Sequence, residues 1–410
     1  MSSKLAFSLL ALLCLLANVS SMNVIDRCWR RKPNWAANRQ RLAICSVGFA
    51  GKMRGNRGPG TKFYTVTDPR DDPVRPWPGT LRYGATLLRG KVWITFQNDM
   101  VIVLKRPLYV KSFTTIDGRG ANVQIAYGSG IVLQGVSNVI IHGLQIHNCQ
   151  PQPDGPVLVP GGRIEQIGGA DGDAIRLVSS YKVWIDHNTL YSSNDGLLDV
   201  TRGSTAITIS NNWFRDHDKV MLLGHDDGYV RDRRMRVTLA FNRFGPNCNQ
   251  RMPRIRHGYA HIVNNFYDGW VDYAIGGSMH PSIKSQSNLF VASSPTNKKV
   301  TSRITGASNS WNWWSVGDAF VNGASFKQSG RRIRPRYSRE QSFRAESVTR
   351  VRALTRNAGA LICSARQVKE KGKAVGERER ERERERERIS KERKREHQFC
   401  EDWLNNGWSA

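Results

Sequence analysis

The segment Tyr181–Asn188 (YKVWIDHN) alternates polar and apolar residues and ends on asparagine, and the pattern returns at Thr205–Asn212 (TAITISNN). Looser copies follow at Arg236–Asn242 (RVTLAFN), Ala260–Asn265 (AHIVNN) and Pro281–Asn288 (PSIKSQSN). Alternation is the signature of a strand with one buried face. The asparagines recur after 24, 30, 23 and 23 residues, each followed within two positions by a large apolar side chain. The earlier stretch Asn138–Asn148 (NVIIHGLQIHN) resembles a further turn of the series. A period of about two dozen residues, built from β segments, indicates a solenoid. Asparagines locked to one phase of the repeat suit a ladder of amides stacked at a tight bend. An antiparallel sandwich would not require that phase. The expected fold is all-β, a right-handed single-stranded parallel β-helix.

Outward from the repeat, the chain divides by composition. Short β-rich runs begin at Phe63–Val66 and continue at Val92–Phe96 and Met100–Leu104, so the solenoid is expected over 63–330. Residues 22–62 form an N-terminal segment expected to pack on it, with Gly51–Gly60 as an exposed loop. Residues 331–366 are arginine-rich with apolar clusters, whereas 367–410 form a low-complexity tail in which Glu377–Arg388 alternates Glu and Arg strictly. Nothing in that tail can bury, so disorder is expected.

Residues 1–21 read as a secretory leader. Lys4 supplies the positive end, Leu9–Leu16 the apolar run, and Val19 and Ser21 the small residues before a cleavage point. The run is too short to span a bilayer, and no later segment is long enough, so an extracellular chain with no membrane partner is expected. Loss of the leader removes Cys14 and leaves six cysteines, of which Cys28 and Cys45 are the expected disulfide. The formal charge of +28 and pI near 10.3 favour an acidic partner, either nucleic acid or a polycarboxylate. Residues 331–400 hold 23 Lys+Arg against 11 Asp+Glu, or +12, so the rest still carries +16 (28 − 12).

The chemistry concentrates between Asp171 and Arg256. Asp171 and Asp173 stand two residues apart and Asp195 and Asp199 four, with 24 residues from Asp171 to Asp195. Residues two or four apart in a strand share a face, so the two pairs are expected on adjacent rungs. Four carboxylates suit a hard cation such as Ca²⁺. Lys219 and the arginines Arg251, Arg254 and Arg256 follow, and these suit an anionic ligand; Arg254 alone is read as solvated surface charge. His187, His217, His225 and His261 match no zinc spacing, and His187 and His261 read as structural.

Several collinear motifs resemble the plant pectate lyases, a group that includes pollen allergens. They are Asp171–Ile175 (DGDAI), Trp184–His187 (WIDH), Asp195–Asp199 (DGLLD), His217–Asp227 (HDKVMLLGHDD), Phe241–Pro246 (FNRFGP) and Gln250–Arg256 (QRMPRIR). The similarity runs from about Asn23 to Cys363. It implies the pectin lyase-like solenoid and Ca²⁺-dependent eliminative cleavage of de-esterified homogalacturonan to 4,5-unsaturated oligogalacturonides. Carried over residue by residue, it implies Asp171, Asp195 and Asp199 as Ca²⁺ ligands, with Asp173 an open fourth. Arg251 is then the proton-abstracting base, while Lys219 and Arg256 hold substrate carboxylate. A monomer secreted to the cell wall is expected, with pectate and no nucleic acid as partner. The chain departs from the family at Arg31, Asn188 and Ser192–Asn194, where cysteines are common, so Cys149 lacks its usual partner.

Three other readings compete. A polygalacturonase would hydrolyse the same polymer with paired carboxylates. Asp226-Asp227 and Arg254-Ile-Arg256 echo that class, but its Asn-Thr-Asp and Gly-His-Gly motifs are absent. A pectin-binding wall protein or allergen with a weak or silent site is the second, and the presence of Arg251, Lys219 and four aspartates argues against a dead site. A nucleic-acid binder rests on charge alone.

Overall fold

The structure is a computed structural model that describes residues 22–30, 35–293, 297–304 and 311–361, together with residue 384. The leader, Cys363, Cys400 and the Glu-Arg repeat (Arg384 apart) lie outside the described residues.

One turn of the coil shows how the repeat folds. Ile175–Val178 enters sheet 1, Tyr181–Asp186 enters sheet 2, and Thr189–Tyr191 enters sheet 3. The next turn repeats this with Leu198–Thr201, Thr205–Ser210 and Trp213–Arg215. Each strand pairs in parallel with its counterpart one turn away, as where Ile185 faces Ile209 and Ile209 faces Leu239. Among the described residues the three sheets hold eight, ten and nine strands. The molecule is a parallel β-helix. Alternate residues point inward, so Ile175, Leu177, Leu198 and Val200 are fully buried while Arg176 and Asp199 between them look outward.

The corner between sheets 2 and 3 holds the asparagine ladder. The backbone N–H of Asn188 donates to Oδ1 of Asn212 (2.9 Å), Asn212 to Asn242 (3.0 Å), Asn242 to Asn265 (2.9 Å) and Asn265 to Asn288 (2.8 Å). The residue before each ladder asparagine takes left-handed backbone: His187, Asn211, Phe241, Asn264 and Ser287. One repeated bend plus one amide thus closes the corner on every turn. Asp318 accepts from Asn288 (2.6 Å) and continues the ladder with a carboxylate. At the other end Leu144 donates to Asn188. The stretch Asn138–Asn148 is a further turn of the series, as expected: its strand, Ser137–His142, pairs with Tyr181–Asp186 in sheet 2, although Leu144 holds the ladder position and Asn148 bonds His147 instead. Along sheet 3, Phe214, Phe244, Tyr267, Phe290 and Phe320 stack face to face at 4.5–5.6 Å, near the strand spacing.

A second core lies on the outer face of sheet 2. Trp93, Ile140 and Trp184 pack there against Ile25, Trp29 and Leu42 of the N-terminal segment. Asn23 caps the helix Val24–Arg30 by accepting from the N–H groups of Ile25 and Asp26. Cys28 and Cys45 form the expected disulfide, with Cα atoms 5.5 Å apart. The buried His187 Nε2 lies 2.7 Å from Asp26 Oδ1, and His261 meets the Tyr337 hydroxyl at 2.8 Å, so both histidines are structural. Gly51–Gly60 is not simply an exposed loop: Met53 is buried, and the buried Asn56 amide donates to the carbonyls of Thr114 and Asn138.

Candidate active site

The site is built on the outer face of sheet 1. Strand register aligns Val132, Arg176, Asp199, Leu222 and Arg254 in one row across successive turns. Acidic groups gather at the loops entering this row and basic groups on the turns that follow.

Asp171, Asp173 and Asp195 come together, each offering an oxygen within 4.8 Å of the others. They do so from loops, not from strands, so strand alternation does not explain their shared face. Asp171 and Asp173 close an excursion between sheets 3 and 1 that contains the antiparallel hairpin Gly155–Val159 and Arg163–Ile167. Gly172, with φ of +95°, turns the chain between them. The Asn194 amide ties the two loops by donating to the Asp171 carbonyl (2.8 Å). Asp173 Oδ1 accepts from the N–H of Gly196 (2.8 Å), and a Cβ at residue 196 would stand 2.6 Å from Asp199 Oδ1 and 2.9 Å from Asp173 Oδ1. The glycine thus lets Asp199, in strand Leu198–Thr201, approach the loop carboxylates. Burial, then the charges of Asp199 and Asp171, pushes Asp173 well above the usual carboxylate range. Burial, then Asp195, does the same for Asp199, while Arg176 and Arg251 pull it back.

The basic side begins with Lys219, whose Nζ lies 3.1 Å from Asp195 Oδ1. Its strand, His217–Lys219, pairs with Cys248–Gln250, setting Lys219 opposite Gln250 and Arg251 one residue beyond. The N–H of Met221 donates to the Arg251 carbonyl (2.7 Å), which fixes that residue's left-handed backbone. Arg251 Nε is buried with no acceptor among the described residues. Arg256 is more committed: its guanidinium donates to the carbonyls of Gly224 (3.0 Å) and His225 (2.7 Å) and sits 3.3 Å from Asp227. Asp227 also accepts from Ser278 (2.6 Å), and Asp226 lies 3.4 Å from His225, so neither forms the open carboxylate pair of a hydrolase.

Four residues of this site were given no functional role from the sequence, although Gly196 and Arg254 lie inside the DGLLD and QRMPRIR motifs. Arg254 is not a solvated surface charge: it is partly buried in the row, and burial, then Arg256 and Arg251, holds its guanidinium below the ordinary arginine range. Arg176 stands 3.9 Å from Asp171, and Tyr273 lies against Arg251 and Arg254. Gly196 is the fourth. Arg176 and Arg254 could have been found by stepping along the sheet 1 register, but the asparagine period does not supply that step.

The donor chemistry fits Ca²⁺. All donors are hard oxygens, and opposite ligands on that ion stand about 4.6–5.2 Å apart, twice a bond of 2.3–2.6 Å. The carboxylates raised by burial and then by neighbouring carboxylates are those that a divalent cation would return to the ionised form.

Fold and site together define a β-helical protein with an acidic cluster and an arginine group side by side on its first sheet. The pectate lyase family matches residues 102–338. A putative pectate lyase 17 of Arabidopsis thaliana is 50% identical over 346 residues, 84% of this chain and 87% of that one. Pectate lyase 1 of Cryptomeria japonica is 48% identical over 372 residues, 89% of this chain and 99% of that one. The crystal structure of jun a 1, the major allergen from cedar pollen, superposes with a TM-score of 0.80 at 50% identity, covering 83% of this chain and 99% of that chain. The chain belongs to the pectate lyase family and is an enzyme of that family.

Proposed function

We propose that the chain is a secreted, Ca²⁺-dependent pectate lyase that cleaves (1→4)-α-D-galacturonan by elimination, leaving 4,5-unsaturated oligogalacturonides in the cell wall. The carrying observation is the convergence of Asp171, Asp173 and Asp195, with Asp199 behind them, beside Lys219 and Arg251.

Asp171, Asp173, Asp195 and Asp199 would hold the ion. Bound Ca²⁺ would supply positive charge to the uronate carboxylate and so acidify the proton on C5. Lys219 and Arg256 orient that carboxylate by charge-assisted hydrogen bonds. The Arg251 side chain, in its neutral form, takes the C5 proton. The C4–O bond then breaks, a C4=C5 double bond forms, and the departing oxygen picks up a proton. A guanidine is a base only when neutral, so activity should rise with alkalinity. Tyr273, on the next turn, lies against Arg251 and holds it in place.

The test is ultraviolet absorbance of the unsaturated product from polygalacturonate, with Ca²⁺ and with chelator, beside Arg251→Ala. Absorbance requiring both Ca²⁺ and Arg251 is the expected result, with the variant down at least about 100-fold. New reducing ends without absorbance would mean hydrolysis, and a folded protein with no cleavage would mean a binding protein.

A further inference from the structure

The arginine-rich segment after the solenoid does not simply wave in solvent. Residues 331–343 cross the outer face of sheet 2 and are pinned there. The Tyr259 hydroxyl donates to the Ile333 carbonyl (3.0 Å), and the Tyr337 hydroxyl sits 2.7 Å from Thr238 Oγ1 and 2.8 Å from His261 Nδ1. Phe343 packs beside Phe241. Two hollows of about 640 and 320 Å³ open along this crossing, and Ile333 and Arg334 line both, so they form one continuous groove. That size is ample for a carbohydrate segment.

The groove is cationic throughout. Arg233, Arg236, Arg334 and Arg336 line the larger hollow, and Lys284, Arg332 and Arg334 the smaller. No Asp or Glu lines either among the described residues. The nearest carboxylates in sequence are occupied: Glu340 pairs with Arg54 (2.8 Å), and the buried Asp232 accepts from the N–H groups of Gly203 and His225. Arg332 sits over Trp314 with its guanidinium carbon 3.9 Å from the ring centroid, a cation–π contact that holds the charge beside the groove. Burial, then Arg334, lowers Lys284, as expected for cations crowded without a counter-charge. Keeping them together on a folded face costs stability unless an anion joins them.

We propose that this groove on sheet 2, with Arg332, Arg334, Arg336 and Lys284 at its centre, is a second, non-catalytic binding site for the polyuronate chain. This rests on the reading above that polygalacturonate is the protein's polymer. Planar guanidinium forks match carboxylates in pairs, and a polyuronate presents them at regular intervals. The ring face a nucleobase would stack on, that of Trp314, is already taken by Arg332, which favours a uronate over a nucleic acid. Such a groove would anchor the enzyme on its polymer while sheet 1 performs the chemistry.

The test uses the full chain carrying Arg251→Ala, in chelator, titrated with a long oligogalacturonate. Arg332→Glu, Arg334→Glu and Arg336→Glu are made together and compared with Lys62→Glu, Arg75→Glu and Arg89→Glu, which change the net charge equally elsewhere on the surface. We expect the groove variant to lose at least about tenfold in affinity, with a shallower salt dependence, and the control to lose little. In the chain with Arg251 intact, the groove variant should keep kcat on short oligomers and show a raised KM on the polymer. Equal losses in both variants would overturn the proposal, because binding would then be diffuse charge attraction. Single-stranded DNA binding the groove as tightly as the oligogalacturonate would overturn it as well. Should the Glu variant not fold, the triple Arg→Gln variant replaces it under the same criteria. Failure of the lyase reading is separate: it appears as absent unsaturated product from the unaltered chain, whatever the groove does.

Discussion

Gly196→Ala tests whether the carboxylates around residue 196 are a metal site. The methyl group would stand 2.6 Å from Asp199 Oδ1 and 2.9 Å from Asp173 Oδ1, where ordinary contact begins at 3.4 Å. Asp199 Oδ1 must therefore retreat by about 0.8 Å (3.4 − 2.6) and Asp173 Oδ1 by about 0.5 Å (3.4 − 2.9). Asp199 lies in a strand paired on both sides, so its backbone cannot follow. Metal–ligand distances tolerate only about 0.2 Å, so Ca²⁺ affinity should fall between about 10- and 100-fold, or about 1.4–2.7 kcal/mol. The same loss appears in stability. At a Ca²⁺ concentration 100 times the unaltered Kd, binding stabilises the folded state by about 2.7 kcal/mol, and a site weakened thirtyfold retains about 0.9 kcal/mol. Calorimetric titration gives the affinity, and thermal melts with and without chelator give the linked stabilisation. Gly168→Ala is the control, because a Cβ there meets nothing within 4 Å. A folded Gly196→Ala protein whose Ca²⁺ affinity stays within about twofold of the unaltered chain would refute the reasoning.

Four further outcomes are expected. Ca²⁺ binding should release protons and tighten from pH 6 to 8, since Asp173 and Asp199 are held above the ordinary carboxylate range by burial and then by neighbouring carboxylates. The sign for folding is opposite: in chelator these groups favour the folded state most in acid and lose that contribution as pH rises through their folded values, so the apo protein's denaturation midpoint should decline from pH 4 toward 8. Asn242→Leu deletes the acceptor of the Asn212 N–H (3.0 Å) and the donor to the Ile209 carbonyl (2.9 Å) in a fully buried corner. A loss of about 3–5 kcal/mol in chemical denaturation is expected, and a loss below about 1 kcal/mol would mean the ladder is ornamental. Ser193 lies beside the buried Cys149 thiol, so Ser193→Cys should form a disulfide under oxidising conditions, seen as loss of free thiol. Closing 44 residues (193 − 149) would add up to about 4 kcal/mol.

Why the fold was legible and the site only half so has one physical cause. The corner between sheets 2 and 3 is a fixed object, one left-handed residue followed by one amide, and it recurs without insertion on every turn from His187 to Ser287. Its phase is therefore written in the sequence as asparagine. The disulfide Cys28–Cys45 and the structural histidines were legible for a similar reason, being local or belonging to the repeat. The connection from sheet 3 to sheet 1 is not fixed. It spans three residues, 192–194, before Asp195 in one turn and a whole hairpin before Asp171 in the turn before. The asparagines at 188 and 212 step by 24, yet sheet 1 pairs Ile175 with Leu198, a step of 23. The 24 residues between Asp171 and Asp195 therefore put them on adjacent turns but not in register; the residue level with Asp173 is Gly196. The chain that carries the acids has no repeat to announce it, and the residue that brings them together is visible only as a missing side chain. Glycine beside aspartate reads as an ordinary turn until the neighbouring strand is in place, when the space it leaves is seen to be occupied from both sides by carboxylate oxygens. A solenoid advertises the corners it repeats and conceals the loops it varies, and three of this site's four acids stand on the loops.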